Sequence, residues 1–205
     1  MEQTVAEPSL RVTLLGHFDM IYETQSVSAI KTARMRSLLA YLLLNRGKCL
    51  SRQHLAFLFW PDSSERQART NLRQLLHHVH RAFPEIERFL HADTKTLEWK
   101  NEIPFQLDVA EFEKALEQAG EAGRRNDPSA MLAALEQAAS FYQADLLPEC
   151  YEEWIESERE RLRRKYIEAL ERLVQLLEKQ RAYPKAIEYA LRLLHADDLN
   201  ESSYH

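Results

Sequence analysis

Basic side chains between residues 62 and 82 recur three and four positions apart, which is the spacing of one helix face. Glu65 is the one acid among the arginines of this face. Guanidinium groups bind phosphate oxygens and guanine edges equally well, so the pattern favours contact with DNA without separating those two roles. The alternative is an ordinary solvated face. The basic face consists of Arg66, Arg69, Thr70, Arg73, His77 and Arg81.

Three histidines and one lysine near this face are further candidates for metal binding or DNA contact. His77, His78 and His80 suggest a metal site, but no cysteine and no third helical ligand at matching spacing accompanies them, so we expect no metal. His77 lies nearest the arginines, where it would contact phosphate or simply be exposed. Lys95 would touch phosphate or the minor groove, or belong to plain surface.

Motifs that support catalysis are missing from the sequence. It contains no Gly-rich phosphate loop, no His-Glu-x-x-His and no Gly-x-Ser-x-Gly. We therefore expect neither enzymatic activity nor a cofactor. Cys49 and Cys150 have no partner in a Cys-x-x-Cys pair, which is typical of reduced thiols in a cytoplasm.

Three helices are predicted to position the basic face. Apolar spacing indicates the first over residues 33–45, and Ser51 caps a second that ends at Trp60. Asp62 and Glu65 resemble a capping box, which predicts a third helix to Ala82. The apolar stripe of this third helix, which we expect to be buried, is Ala68, Leu72, Leu75, Val79 and Phe83.

Short strands are predicted on both sides of these helices. Period-two alternation begins at Leu10, and a second alternating segment, Phe89 to Lys100, turns at Asp93-Thr94-Lys95. Three helices followed by a hairpin make a winged helix-turn-helix, whose third helix is narrow enough to enter the major groove. We assign this DNA-binding domain to residues 1–104.

We assign the second half, residues 105–205, to a helical domain, because from Asp108 onward the sequence shows only helical periodicity, with predicted breaks at Gly120, Gly123, 127–128, 147–148 and 183–184. Pro128 and Pro184 each open a similar helix, a weak internal repeat typical of tetratricopeptide-like helical hairpins. The predicted fold class is therefore mainly α with small β elements. The basic residues of 159–165 alternate with acids, which favours a salt-bridged surface helix over a second nucleic-acid site.

The charge balance differs between the halves. Residues 1–100 carry 14 Lys and Arg against 10 Asp and Glu, or +4, whereas residues 101–205 carry 13 against 22, or −9. This favours an anionic partner for the first half and a protein partner for the second, although drift in surface composition explains it as well.

No stretch approaches the roughly 18 apolar residues that span a bilayer. We expect a cytoplasmic protein with no membrane partner.

Several blocks of the sequence, taken in their order, carry a resemblance to a known family. They include Leu10 to Phe18, Leu50-Ser-Arg-Gln-His-Leu55 and Leu58-Phe-Trp-Pro61 in the first half, and Trp154 to Leu162 in the second. Together these blocks resemble the SARP-type transcriptional regulators. The resemblance implies an OmpR-like winged helix joined to a bacterial transcriptional activator domain of tetratricopeptide-like helices. It also implies that the third helix is the recognition helix. Because the family continues beyond the equivalent of Glu201, we expect the activator domain to be truncated at its C-terminus.

Two functions follow from these observations. The first is a sequence-specific transcriptional activator that binds double-stranded DNA repeats in promoters, as a single copy or as a homodimer, and engages RNA polymerase or other protein partners through its helical half. Its DNA-binding residues would be Arg66, Arg69, Thr70, Arg73, His77 and Lys95. The alternative is a protein-interaction scaffold whose winged helix no longer binds DNA, which the overall acidity favours.

Overall fold

The computed structural model describes the backbone of residues 9–201 and the side chains of residues 9–196. Contacts between Cα atoms divide this part of the chain into two compact units. Unit 1 holds residues 9–12 and 18–106, and unit 2 holds residues 13–17 and 107–201. A boundary between separately folding domains after residue 104 stays a proposal.

Unit 1 combines two small sheets with three helices. One sheet has the strand order β3-β2-β1-β7, and the other is antiparallel with the order β4-β6-β5. Their strands are β1 (Leu10–Thr13), β2 (Asp19–Tyr22), β3 (Gln25–Ser26), β4 (Leu50–Ser51), β5 (Leu90–Ala92), β6 (Thr96–Trp99) and β7 (Gln106–Leu107). The helices are α1 (Ala33–Leu44), α2 (Arg52–Phe59) and α3 (Glu65–Ala82), followed by a 3₁₀ turn, Pro84–Arg88.

The ends of the three helices match the sequence predictions except at the start of α3. Ser51 caps α2 by accepting a hydrogen bond from the His54 N–H, and Trp60 ends that helix. The predicted capping box at Asp62 and Glu65 is wrong, because Ser64 holds the N-cap position and accepts from the Gln67 N–H. Its backbone conformation lets the hydroxyl reach that N–H group, and Ser64 lies two residues closer to the helix than Asp62.

The predicted buried stripe of α3 is confirmed, since all five apolar members lie in the core of unit 1. The wing packs into the same core through Trp99, whose ring is fully buried and stacks on Phe89 at 6.0 Å between centroids. Helix and wing are thereby held by one apolar cluster. This fixes which side of α3 faces solvent.

Unit 2 is a succession of helices in which each packs against the next. They are α4 (Asp108–Arg124), α5 (Pro128–Phe141), α6 (Glu153–Lys179) and α7 (Tyr183–Glu201). The breaks predicted at Gly120 and Gly123 are wrong, because α4 runs through both. Each glycine costs a helix about 1 kcal/mol, but burial of Phe112, Ala115 and Ala119 on one face holds the helix together.

Residues 13–17 belong to unit 2 although they follow β1 in sequence. The Asp108 carboxylate at the start of α4 accepts hydrogen bonds from the backbone N–H groups of Leu14 and Leu15, at 2.8 and 2.7 Å. The Leu14 carbonyl in turn accepts from the Leu147 N–H at 2.9 Å. Hydrogen bonds therefore attach residues 13–17 to the helices of unit 2.

Candidate nucleic-acid interface

The basic face of α3 is open to solvent. Arg66, Arg69, Arg73 and His77 are exposed, and Thr70 is half-buried. The opposite stripe is buried, and α3 has a strongly amphipathic pattern in which charge and apolar surface lie on different sides. The structure therefore brings the five predicted side chains of α3 together on one accessible surface.

Two members of this face are already engaged within unit 1. The Thr70 hydroxyl donates to the Arg66 carbonyl at 2.9 Å, so a ligand would meet its oxygen as an acceptor. Arg69 forms an ion pair with Glu65 at 2.5 Å, with about half of each side chain exposed. Glu65 also accepts from Gln53 of α2 at 3.3 Å, which links the first turns of α2 and α3.

The wing tip is shaped by one aspartate. The Asp93 carboxylate accepts hydrogen bonds from the N–H groups of Lys95 and Thr96, at 2.6 and 2.7 Å, and from the Thr96 hydroxyl at 2.9 Å. These bonds favour the charged carboxylate and lower the pKa of Asp93 to about 2. Lys95 is exposed at the tip, on the side that residues of α2 and α3 also reach.

Loss of the Asp93 carboxylate should loosen the wing tip. In an Asp93→Ala variant we expect faster hydrogen exchange at the Lys95 and Thr96 amides, measured by NMR, because both N–H groups lose their acceptor. In the unmodified protein, the folded pKa lies below the ordinary value of 3.8, so this contribution is complete above that pH. It should fade as pH falls towards 2. Exchange that stays equal to wild type in the variant would contradict this role.

A groove joins the wing tip to α2 and α3. Its volume is about 470 Å³, and the side chains that line it come from three separate parts of unit 1. Two of the predicted DNA-binding arginines and the predicted wing lysine meet there. The lining residues are Ser51, Arg52, Gln53, Arg69, Leu72, Arg73, Thr94 and Lys95.

Arg52 was missed by the sequence analysis. It is the first residue of α2, and its N–H donates to the Lys95 carbonyl at 2.8 Å, which places it beside the wing. The predicted cap at Ser51 already located Arg52 in the first helical turn. The pairing of β4 with β6, which brings that turn to the wing, was not visible in the sequence.

The histidines of α3 lie on its exposed surface. The rings of His77 and His78 are 6.0 Å apart, and His80 approaches Glu87 at 3.6 Å. His77 shares the arginine face, whereas His80 points its Nδ1 towards the 3₁₀ turn. Only His77 is therefore placed to meet a ligand of that face.

Most basic side chains of the second cluster, on α6, form ion pairs. Arg161 contacts Glu113 at 2.6 Å and Glu158 at 2.8 Å, while Lys165 contacts Glu113 at 2.7 Å. Burial acts to raise the pKa of Glu113, but hydrogen bonds from Arg161 and Lys165 outweigh it and lower that pKa. The expected salt-bridged helix is confirmed, and α6 offers little free positive charge for a nucleic acid.

Comparison with protein families matches residues 107–205 to the family described as bacterial transcriptional activator domain. Residues 107–205 are a bacterial transcriptional activator domain. Joined to the winged helix of unit 1, this activator domain gives the chain the architecture of a SARP-type transcriptional regulator, and the resemblance drawn from the sequence is confirmed. Proteins of this kind are in general regulators rather than enzymes.

A solved structure has a similar fold to this chain. The structure titled Mycobacterium tuberculosis EmbR in complex with low affinity phosphopeptide superposes with a TM-score of 0.71 at 17% sequence identity. The match covers 94% of this chain and 61% of the EmbR chain, so this chain spans about three fifths of that protein's length. No curated protein matches the sequence. Within the described residues, no helix is both long and apolar enough to cross a membrane.

Proposed function

We propose that this regulator is a sequence-specific DNA-binding activator that binds promoter repeats through α3 and the wing. The observation that carries the proposal is the exposed basic face of α3, held outward by burial of the opposite stripe. A helix of this kind fits the major groove, with arginines placed for base edges and phosphates. The activator domain places the chain among regulators of transcription.

We further propose that the activator domain contacts RNA polymerase or another protein of the transcription machinery. What supports this is the family of residues 107–205 and the acidic balance of that half. Two copies of the regulator would bind adjacent DNA repeats. Selection of bound sequences from random DNA would report the repeat and the half-site spacing, which bears on the number of copies bound.

Binding to duplex DNA should weaken as salt rises, because Lys and Arg displace counterions from phosphates. The logarithm of the association constant should fall linearly with the logarithm of salt concentration, with a slope of about −0.9 for each phosphate neutralised. Three such contacts would give a slope near −2.7. Fluorescence anisotropy with a labelled duplex over a salt series measures this directly.

The competing function is a protein-interaction scaffold whose winged helix does not bind DNA. The net charge of −5 favours it, because an acidic protein is repelled by a polyanion at long range. The same salt series separates the two functions. If the protein does not bind the duplex even at low salt, and the anisotropy therefore does not change over the series, the result would support the scaffold and contradict DNA binding.

A further inference from the structure

The groove beside the wing, lined in part by Arg52, Arg73 and Lys95, holds positive charge that the acids of unit 1 balance only in part. Of the nearby acids, Glu65 is paired with Arg69, and Asp93 is committed to the hairpin turn. Within the described residues, Arg52, Arg73 and Lys95 form no ion pair, and the Arg52 Nε is buried without a hydrogen-bond partner. A buried guanidinium nitrogen without an acceptor is costly, so the site favours an incoming oxygen ligand.

The backbone that carries Arg52 and Lys95 is fixed within unit 1. Pairing of Leu50 with Leu97 and of Ser51 with Thr96 fastens the start of α2 to the wing. The bond from the Arg52 N–H to the Lys95 carbonyl closes the same side of the groove. Burial lowers the pKa of Arg52; Asp93 opposes this in part, and the nearby charge of Arg73 lowers it further. An anion in the groove would offset both effects, because its negative charge stabilises the charged guanidinium.

The shape of the groove favours a phosphate over a base edge. Side chains that read bases project from the convex surface of a helix into the major groove, and Arg66 lies on such a surface outside the groove. A phosphate, in contrast, protrudes from the duplex and suits a concave site walled by separate elements. The first turn of α2, with its positive helix end, adds to the attraction.

We infer that this groove clamps one phosphodiester of the DNA backbone through Arg52, Arg73 and Lys95, which leaves base reading to Arg66. The inference rests on the proposed DNA-binding function and assigns roles within that same surface. Arg52, which lies outside the recognition helix, becomes a DNA ligand. Its contact positions the regulator on the duplex and carries no information about sequence.

The test compares wild type with Arg52→Ala and Arg52→Lys on two labelled duplexes, one of selected and one of random sequence, over a salt series. For Arg52→Ala we expect affinity to fall about tenfold on both duplexes, and the salt slope to become shallower by about 0.9. Arg52→Lys keeps the charge and should restore most of the slope. Arg124→Ala, which removes an exposed arginine of α4, should change neither quantity. Circular dichroism melts establish that each variant is folded.

Several results would overturn the inference. One is an Arg52→Ala variant that binds with the wild-type slope, and another is a loss confined to the selected duplex, which would make Arg52 a base reader. In an NMR titration, a shift of the Arg52 Nε–H signal with inorganic phosphate but not with DNA would make the groove a site for free phosphate. Should wild type itself show no salt-dependent binding, the proposed function fails and the inference fails with it. Failure of the proposed function is thus seen in the wild-type protein, whereas failure of the inference alone is seen only in the Arg52 variants.

Discussion

Replacing Arg66 and Arg73 together by alanine should weaken binding to a selected DNA site by about 2–6 kcal/mol. An arginine that contacts a base or phosphate contributes about 1–3 kcal/mol, and residues two helical turns apart act nearly independently. Both side chains are exposed on the basic face of α3, so their removal leaves the buried stripe intact. Equilibrium binding by anisotropy at constant salt measures the loss.

The matched control for this pair is Arg164→Ala on α6. Arg164 is exposed, and its removal changes the net charge of the regulator without altering α3. We expect the affinity of this control to stay within about twofold of wild type, because Arg164 belongs neither to the basic face of α3 nor to the groove beside the wing. If the double variant kept the wild-type affinity, Arg66 and Arg73 of α3 would not contact the DNA.

Replacing Asp108 by alanine should lower the free energy of unfolding by about 2–4 kcal/mol. The substitution leaves the N–H groups of Leu14, Leu15 and Val109 without their acceptor. Burial raises the pKa of Asp108, since desolvation of the charged form outweighs these three hydrogen bonds. Removal of the buried charge therefore offsets part of the loss. Urea unfolding followed by circular dichroism measures the difference.

Two variants establish the reason for that loss. Asp108→Asn keeps one carbonyl oxygen and should be less destabilised than Asp108→Ala. Asp127→Ala removes a helix cap, whose side chain accepts from the Ala130 N–H at 3.0 Å, and should cost about 1 kcal/mol. If Asp108→Ala proved no more damaging than Asp127→Ala, the attachment of residues 13–17 would not matter for stability. Slow hydrogen exchange at the Leu14 and Leu15 amides in the Asp108→Ala variant would likewise contradict a role of this attachment in stability.

Periodicity and helix ends were predictable because they depend on neighbours a few positions away. The spacing of Leu72, Leu75 and Val79 was enough to orient α3, and with it the exposed arginines. The Ser51 cap and the turn at Asp93 rest on side chains that bind backbone groups two or three residues on. The same local reasoning failed at Asp62, since Ser64 competes for the same role and lies nearer the helix.

Contacts between distant positions were decided by the tertiary structure. Asp108 lies 94 residues beyond Leu14, and no local pattern in either segment indicates that they meet. Arg52 and Lys95 come together only because β4 pairs with β6. In α4, burial of one face outweighs the low helix propensity of Gly120 and Gly123. Short-range preferences settled the type of most elements, whereas pairing and burial settled which side chains share the groove.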